Sequence, residues 1–333
     1  MKKRLASITV ILSLLAVVLI GCSSDDSTSG GNITFANAGW DSVMFHNAVA
    51  GTIAEELWDY TWEEVSGSTP VTYQGLISGE IDAHMEVWSE NIPPYEEDAE
   101  AGRFQEVSTN FDDNFQGFYV PRYVIEGDEE RGIEPMAPDL QYVWDLKDYP
   151  EVFPDDDDPS MGRVYGAIPG WEVDQILYNK YEHYDLDENF IYFRPGSEAA
   201  LATAITSAYE RGEAVVAYYW EPTWLLGLYD MVLLEDEPHD PDNYIGGETA
   251  LPTVNVTIAV SNDFVEEGNE EFIEFLSNYQ TSSALTSEAL AYMQDTGSDY
   301  VDTAKWFINE HSELLDEWLQ PEDAQTMKDS LNN

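Results

Sequence analysis

Two hydrophobic periods alternate along this chain, and their alternation limits the fold more than any other feature. In IDAHMEVW (81–88), Ile81, Ala83, Met85 and Val87 recur at every second position, the spacing of a strand. Leu201, Ala204, Ile205, Ala208 and Tyr209 instead fall at i, i+3, i+4, i+7 and i+8, the apolar stripe of a helix. Ser197 before that stripe and Gly212 after it supply a cap and a stop signal. Further strands are expected at 33–38, 115–120, 164–168, 214–220, 231–234 and 254–260. A helical stretch is expected from Gly39-Trp40 to about Glu64, and the chain from Glu270 onward reads mostly as helices. Strands alternating with helices imply an α/β fold with largely parallel sheets flanked by helices. Charged, proline-bearing loops at 126–139 and 235–247 interrupt the pattern. A chain of 333 residues can fill two lobes.

The N-terminus carries an export signal. Lys2, Lys3 and Arg4 precede an apolar run, 6–20, that ends in Leu19-Ile20-Gly21-Cys22. The run is short against the roughly 20 residues of a membrane span. Residues 1–22 resemble a bacterial lipoprotein signal peptide, with Cys22 the lipidated residue. The polar segment 23–32 (SSDDSTSGGN) reads as a flexible tether. The protein is therefore expected outside the cytoplasm, lipid-anchored to the cell membrane, in the periplasm or at the outer cell surface. Cys22 is also the only cysteine, so no internal disulfide can form and stability must come from an ordinary core.

Thirteen basic residues face 66 acidic ones, a formal net charge of −53. Such a field repels nucleic acid and anionic membrane surfaces and suits a high-salt solvent, where self-repulsion is screened. A halophilic source is inferred. The runs Glu96-Glu97-Asp98, Asp155 to Asp158 and Glu235-Asp236-Glu237 read as solvated surface.

Signals for catalysis are missing. The lone cysteine is the lipid site, no G-x-S-x-G motif occurs, and His46, His84, His183, His239 and His311 show no metal-ligand spacing. The segment 236–243 (DEPHDPDN) lacks the pattern of a calcium loop. No enzyme, metal or cofactor is expected. A secreted acidic hydrolase or a structural surface lipoprotein are distant alternatives.

Four tryptophans fall at element ends instead of within apolar stripes: Trp40 in NAGWDS, Trp88 in MEVWSE, Trp171 in IPGWEV and Trp220 in YYWEPTW. Ligands of open α/β sheets bind at the carboxyl ends of strands. Four indoles delivered there can form an aromatic box for a poorly hydrated cation such as trimethylammonium, at about 0.5–2 kcal/mol per contact. Trp58, Trp62, Trp144, Trp306 and Trp318 sit in helical contexts and are read as packing residues, as is Trp224.

The order of several short motifs is specific. Gly39-Trp40, then Gly79-Glu80-Ile81-Asp82 leading to Trp88, then Pro169-Gly170-Trp171, then Gly196-Ser197-Glu198-Ala199-Ala200, then Tyr219-Trp220-Glu221-Pro222-Thr223-Trp224 and Tyr229-Asp230 follow one another. Lys305-Trp306 and Trp318-Leu319 lie in the helical C-terminal part. This series resembles the substrate-binding proteins of glycine betaine and choline ABC importers over nearly the whole mature chain. The resemblance implies a two-lobed, hinged periplasmic-binding-protein fold of type II. The implied division is 33–120 in the first lobe, 121–252 in the second, and 253–333 returning to the first, with crossings near Pro121 and Pro252. Trp40 and Trp88 would then stand on one lobe, Trp171 and Trp220 on the other.

Carried over by position, Trp88, Trp171 and Trp220 match the box around the quaternary ammonium, and Trp40 and Tyr119 match aromatic positions of the choline-binding branch. The backbone N–H groups of Trp171 and Glu172 match those that hold a ligand carboxylate, as a helix N-terminus can. Two departures accompany the match: Ile92 stands where betaine-type relatives have a histidine, and Thr223 where others do. Glu172 brings a charge that would repel an anion if it faced the pocket. Asp41 could favour a cation, or act as the N-cap of the following helix. Glycine betaine is the first expectation, with choline, carnitine or proline betaine as alternatives. The expected partners are a membrane permease and its ATPase.

Overall fold

The computed structural model describes residues 30–268 and 270–331; Cys22 and the signal segment lie outside them. The first lobe opens with β1 (Asn32–Asn37), α1 (Asp41–Trp58), β2 (Thr61–Ser66), α2 (Thr69–Ser78), β3 (Ala83–Trp88), α3 (Tyr95–Glu100) and β4 (Gln105–Phe111). The second contains β5 (Gln116–Pro121), α4 (Arg122–Glu126), β6 (Gly162–Tyr165), α5 (Glu172–His183), β7 (Phe190–Phe193), α6 (Glu198–Arg211), β8 (Ala217–Trp220), α7 (Trp224–Leu228) and β9 (Met231–Leu233). β10 (Val256–Val260) then rejoins the first sheet, and helices from Asn262–Glu267 to Pro321–Leu331 complete the chain.

Each lobe holds a five-stranded sheet, ordered β2-β1-β3-β10-β4 and β7-β6-β8-β5-β9. Neither sheet is largely parallel, as alternation alone suggested. β1 pairs in parallel with β2 and β3, while β10 runs antiparallel to β3 and β4. In the second sheet β6 is parallel to β7 and β8, while β5 is antiparallel to β8 and β9. The antiparallel pairs arise where the chain changes lobes, because a strand that arrives from the other sheet has no crossover helix to set its direction.

Local chemistry explains most element ends. The Ser197 hydroxyl accepts from the Ala200 N–H at the start of α6, and Gly212, at φ 69°, ends it. The expected helix to Glu64 stops six residues early. Asp59 adopts a left-handed conformation, and 61–66 pairs with β1 as β2. Asn32, assigned to the tether, is the first residue of β1. The expected strand within 81–88 is β3, and all six of its residues are buried, His84 and Glu86 included.

The first crossing also comes earlier than Pro121. β5 already belongs to the second sheet, so the chain leaves the first lobe between Phe111 and Gln116. The buried Asn114 amide donates to Val254 O at 2.6 Å and accepts from Val254 N–H at 3.0 Å, tying the outgoing crossing to the returning one.

The acidic runs are not simply solvated surface. Each contributes one buried carboxylate to one of the few cations: Asp98 to Arg103 at 3.1 Å, Asp155 to Arg163 at 2.7 Å, and Asp236 to Lys180. Asp156 and Asp157 stay exposed beside the Asp155 pair. Trp62, read as helical, lies instead in β2 and packs edge-on against Phe35 at 6.0 Å.

Candidate functional site

Four element ends converge in the cleft between the sheets. Trp40 is the N-cap residue of α1, just beyond β1, and Trp88 ends β3. Trp171 is the N-cap residue of α5, and Trp220 ends β8. All four are at least nine-tenths buried, and all four line one cavity of about 40 Å³. Trp171 stands between two others, edge-on to Trp40 at 5.5 Å and to Trp220 at 5.0 Å. Thr69, Asn91, Ile92, Glu172, Val173 and Tyr218 complete the wall.

The lobes meet directly at this wall. Trp171 Nε1 donates to Ala38 O at 3.2 Å, and Thr69 N–H donates to Gly170 O at 3.0 Å. The Asp41 N–H donates to Glu198 Oε2 at 2.8 Å. Apolar packing is continuous from Trp40, Val43 and Trp88 of the first lobe into the second-lobe core. This is a closed cleft.

The remaining sequence candidates separate. Glu172 lies on the wall as the first residue of α5, where helix geometry leaves its N–H and that of Val173 without intrahelical partners. The Trp171 N–H is already engaged, donating to Ile168 O at 3.0 Å, so the free amides fall at 172 and 173 instead of at 171 and 172. Burial pushes the Glu172 carboxyl above its usual range. Asp41 is not on the wall and is not the N-cap; it is the first helical residue, and its Oδ1 accepts from the Tyr300 hydroxyl at 2.7 Å.

Tyr119 is not brought to the cavity either. It pairs with Ala217 in the β5–β8 ladder, whereas Trp220 pairs with Gln116 and Tyr218 with Phe118. Side chains alternate across a strand, so Tyr119 lies on the sheet face opposite Tyr218 and Trp220. Tyr218 takes the cavity position, stacked near-parallel on Trp220 at 5.7 Å. Its place two residues before Trp220 on a strand was the signal that the sequence reading passed over.

Behind the first-lobe tryptophans sits a carboxylate that sequence reasoning also missed among so many acidic residues. Glu86 of β3 is fully buried, and its Oε1 accepts from Trp88 Nε1 and from the Ser42 hydroxyl, each at 3.0 Å. Burial pushes its carboxyl up to about 8, against the lowering effect of these donors. Glu198 is buried too, and burial with the nearby Asp41 and Glu86 charges raises it well above the usual range. His46 and His84 are buried and pushed down to about 3, so both rings are neutral near pH 7. Among the described residues no group of acidic, histidine or cysteine side chains could hold a metal ion.

Known proteins share this fold. The crystal structure of a glycine betaine, L-proline ABC transporter binding protein from Borrelia burgdorferi superposes with a TM-score of 0.69 at 20% identity, over 89% of this chain and 99% of that one. An ABC-transporter choline binding protein in complex with choline gives 0.68 at 20% identity, over 91% and 99%. Lactococcal OpuAC, closed around glycine betaine, gives 0.67 at 18% identity, over 87% and 100%. At these identities the likeness is one of fold, a two-lobed type II binding protein. No curated protein sequence matches significantly. Residues 31–310 match the family profile described as the substrate binding domain of ABC-type glycine betaine transport systems, and the chain belongs to that family, OpuAC.

Proposed function

We propose that this protein captures a small quaternary ammonium solute, glycine betaine first among them, in the box formed by Trp40, Trp88, Trp171 and Trp220, and delivers it to an ABC permease driven by its ATPase. The observation that carries the reading is the convergence of these four indoles, two from each lobe, on one cavity. Ring faces attract a weakly hydrated cation, and the aromatic wall is complete only when the lobes meet, so binding and closure are one event. The unpartnered amides of Glu172 and Val173 suit a ligand carboxylate. Nothing at the site suggests bond-breaking chemistry, and the ligand is released unaltered. A lipid anchor at Cys22 would hold the protein outside the cytoplasm; no helix among the described residues is long and apolar enough to cross a membrane.

A second reading rests on Glu172 and Ile92. Both line the cavity, one acidic and one apolar, and neither side chain offers a ligand carboxylate a positive charge. They favour choline, which has a hydroxyl in place of that carboxylate. Titration of Trp220→Ala with glycine betaine and choline tests the box: binding should weaken by roughly ten-fold or more. Unchanged affinity in a folded variant removes Trp220 from the ligand.

A further inference from the structure

A single buried carboxylate, Glu86, lies beside both first-lobe indoles of the cavity wall. Trp88 Nε1 donates to Glu86 Oε1 at 3.0 Å. Trp40 Nε1 also reaches toward Glu86 closely enough to lower its carboxyl, although without a well-aligned hydrogen bond. The second carboxylate oxygen, Oε2, is buried with no partner. Protein donors thus satisfy only one of the two Glu86 oxygens, directly behind two walls of the box. Among the described residues, no lysine or arginine lines the cavity.

We propose that Glu86 is the counter-charge of the box: it positions Trp88 through its ring nitrogen, lies beside Trp40, and makes the site select ligands by the positive charge of their head group. The proposal rests on the quaternary ammonium reading above. A carboxylate that accepts an indole N–H draws positive charge off the ring, so the face turned to the ligand becomes more negative. In a dry site the same charge attracts the cation across the ring with little screening. Neither effect depends on what the ligand carries at its other end.

The described surroundings offer no cation that would stabilise Glu86 as an anion. From α1, Ser42 donates a neutral hydroxyl, and His46 is neutral. On β3 itself His84 is neutral, its Nδ1 accepting the Glu86 N–H at 3.3 Å. Tyr279 faces Glu86 from the segment after the helix Glu270–Asn278, and burial keeps its hydroxyl protonated. From α6, Glu198 adds a second acidic group, with Asp41 beside it. Every titratable neighbour is neutral or acidic. In the empty site Glu86 therefore holds a proton near neutral pH, and an arriving cation expels it.

Calorimetry of the whole mature protein tests this in buffers of differing ionisation enthalpy. With glycine betaine or choline near pH 7, wild type should release a substantial fraction of a proton per ligand bound, falling toward zero above about pH 9. Glu86→Gln keeps an acceptor for Trp88 and lacks the charge; it should bind about ten-fold more weakly and release markedly less. It should also discriminate less between glycine betaine and an analogue with a neutral tert-butyl head. Binding without proton release in wild type, or a Glu86→Gln variant with unchanged affinity and release, overturns the role of Glu86 and leaves the box intact. A wild type that binds neither ligand sinks the box and the counter-charge together. If Glu86→Gln fails to fold, the wild-type proton release and the analogue's affinity still decide.

Discussion

Trp171 Nε1 donates to Ala38 O across the cleft at 3.2 Å, so one wall of the box is also a tie between the lobes. The indole at the turn after Ile168-Pro169-Gly170 therefore has two duties, which substitution can separate. Trp171→Phe keeps an aromatic face and loses the tie. It should weaken ligand binding about two- to ten-fold, the worth of one hydrogen bond. Trp171→Ala loses both and should weaken it more than ten-fold, by roughly the cation–π contact plus the lost packing. Equal affinities for the two variants in a titration would mean that the ring contributes nothing.

Gly170 controls how closely the lobes can meet. Its φ is +97°, and a Cβ there would lie 2.8 Å from the Ser68 Cβ on the opposite lobe. Gly170→Ala should hold the cleft ajar, lowering affinity at least about ten-fold through strain and contact. X-ray scattering with saturating ligand should show a larger radius of gyration than for wild type. Adding Ser68→Gly should recover part of the loss, and no recovery would point to local strain alone.

Glu86 makes a stability prediction opposite in sign to its effect on binding. Its folded value of about 8 exceeds its ordinary 4.5. Between these values the unfolded chain gives up the proton that the folded, ligand-free protein keeps. The contribution of Glu86 is therefore fully present below the unfolded value and is lost as pH rises toward 8. Ligand-free Glu86→Gln should melt above wild type at about pH 9 and lose that advantage by about pH 5. A gap that does not change with pH would place the effect in packing.

Lys180 shows how the few cations are used. Its ammonium is buried against Asp236 and the carbonyls of Gly247 and Thr249. Lys180→Met leaves the Asp236 charge with only neutral donors, and chemical denaturation should show a loss of about 3–5 kcal/mol. Ligand affinity at permissive temperature should hardly change, because Lys180 does not line the box.

The net charge of −53 predicts a salt response. Raising sodium chloride from about 0.1 M to about 1 M shortens the screening length from about 10 Å to about 3 Å, and the melting temperature should climb. A flat or falling curve argues against adaptation to high salt.

The sequence made some of these relationships legible and hid others for physical reasons. The four tryptophans stood out because large apolar residues at strand ends break the burial pattern. Tyr119 was misplaced because short motifs fix an order along the chain and not a sheet face; one residue of register moves a side chain across the sheet. Glu86 and Glu198 could not be distinguished among 66 acidic residues, since burial of a polar residue is a tertiary property. The acidic runs misled for the same reason: Asp155 and Asp156 are neighbours in sequence, one buried and one exposed. The antiparallel entry of β5 and β10 left no trace in periodicity, because a buried strand has the same pattern in either direction.

The central claim, a box for quaternary ammonium solutes, is tested most directly by calorimetric titration of the mature protein in high salt with glycine betaine, choline, carnitine, proline betaine and proline. Saturable one-site binding of at least one quaternary ammonium is expected, with proline, which has none, much weaker. Binding of proline alone, or of none of the five, would contradict it.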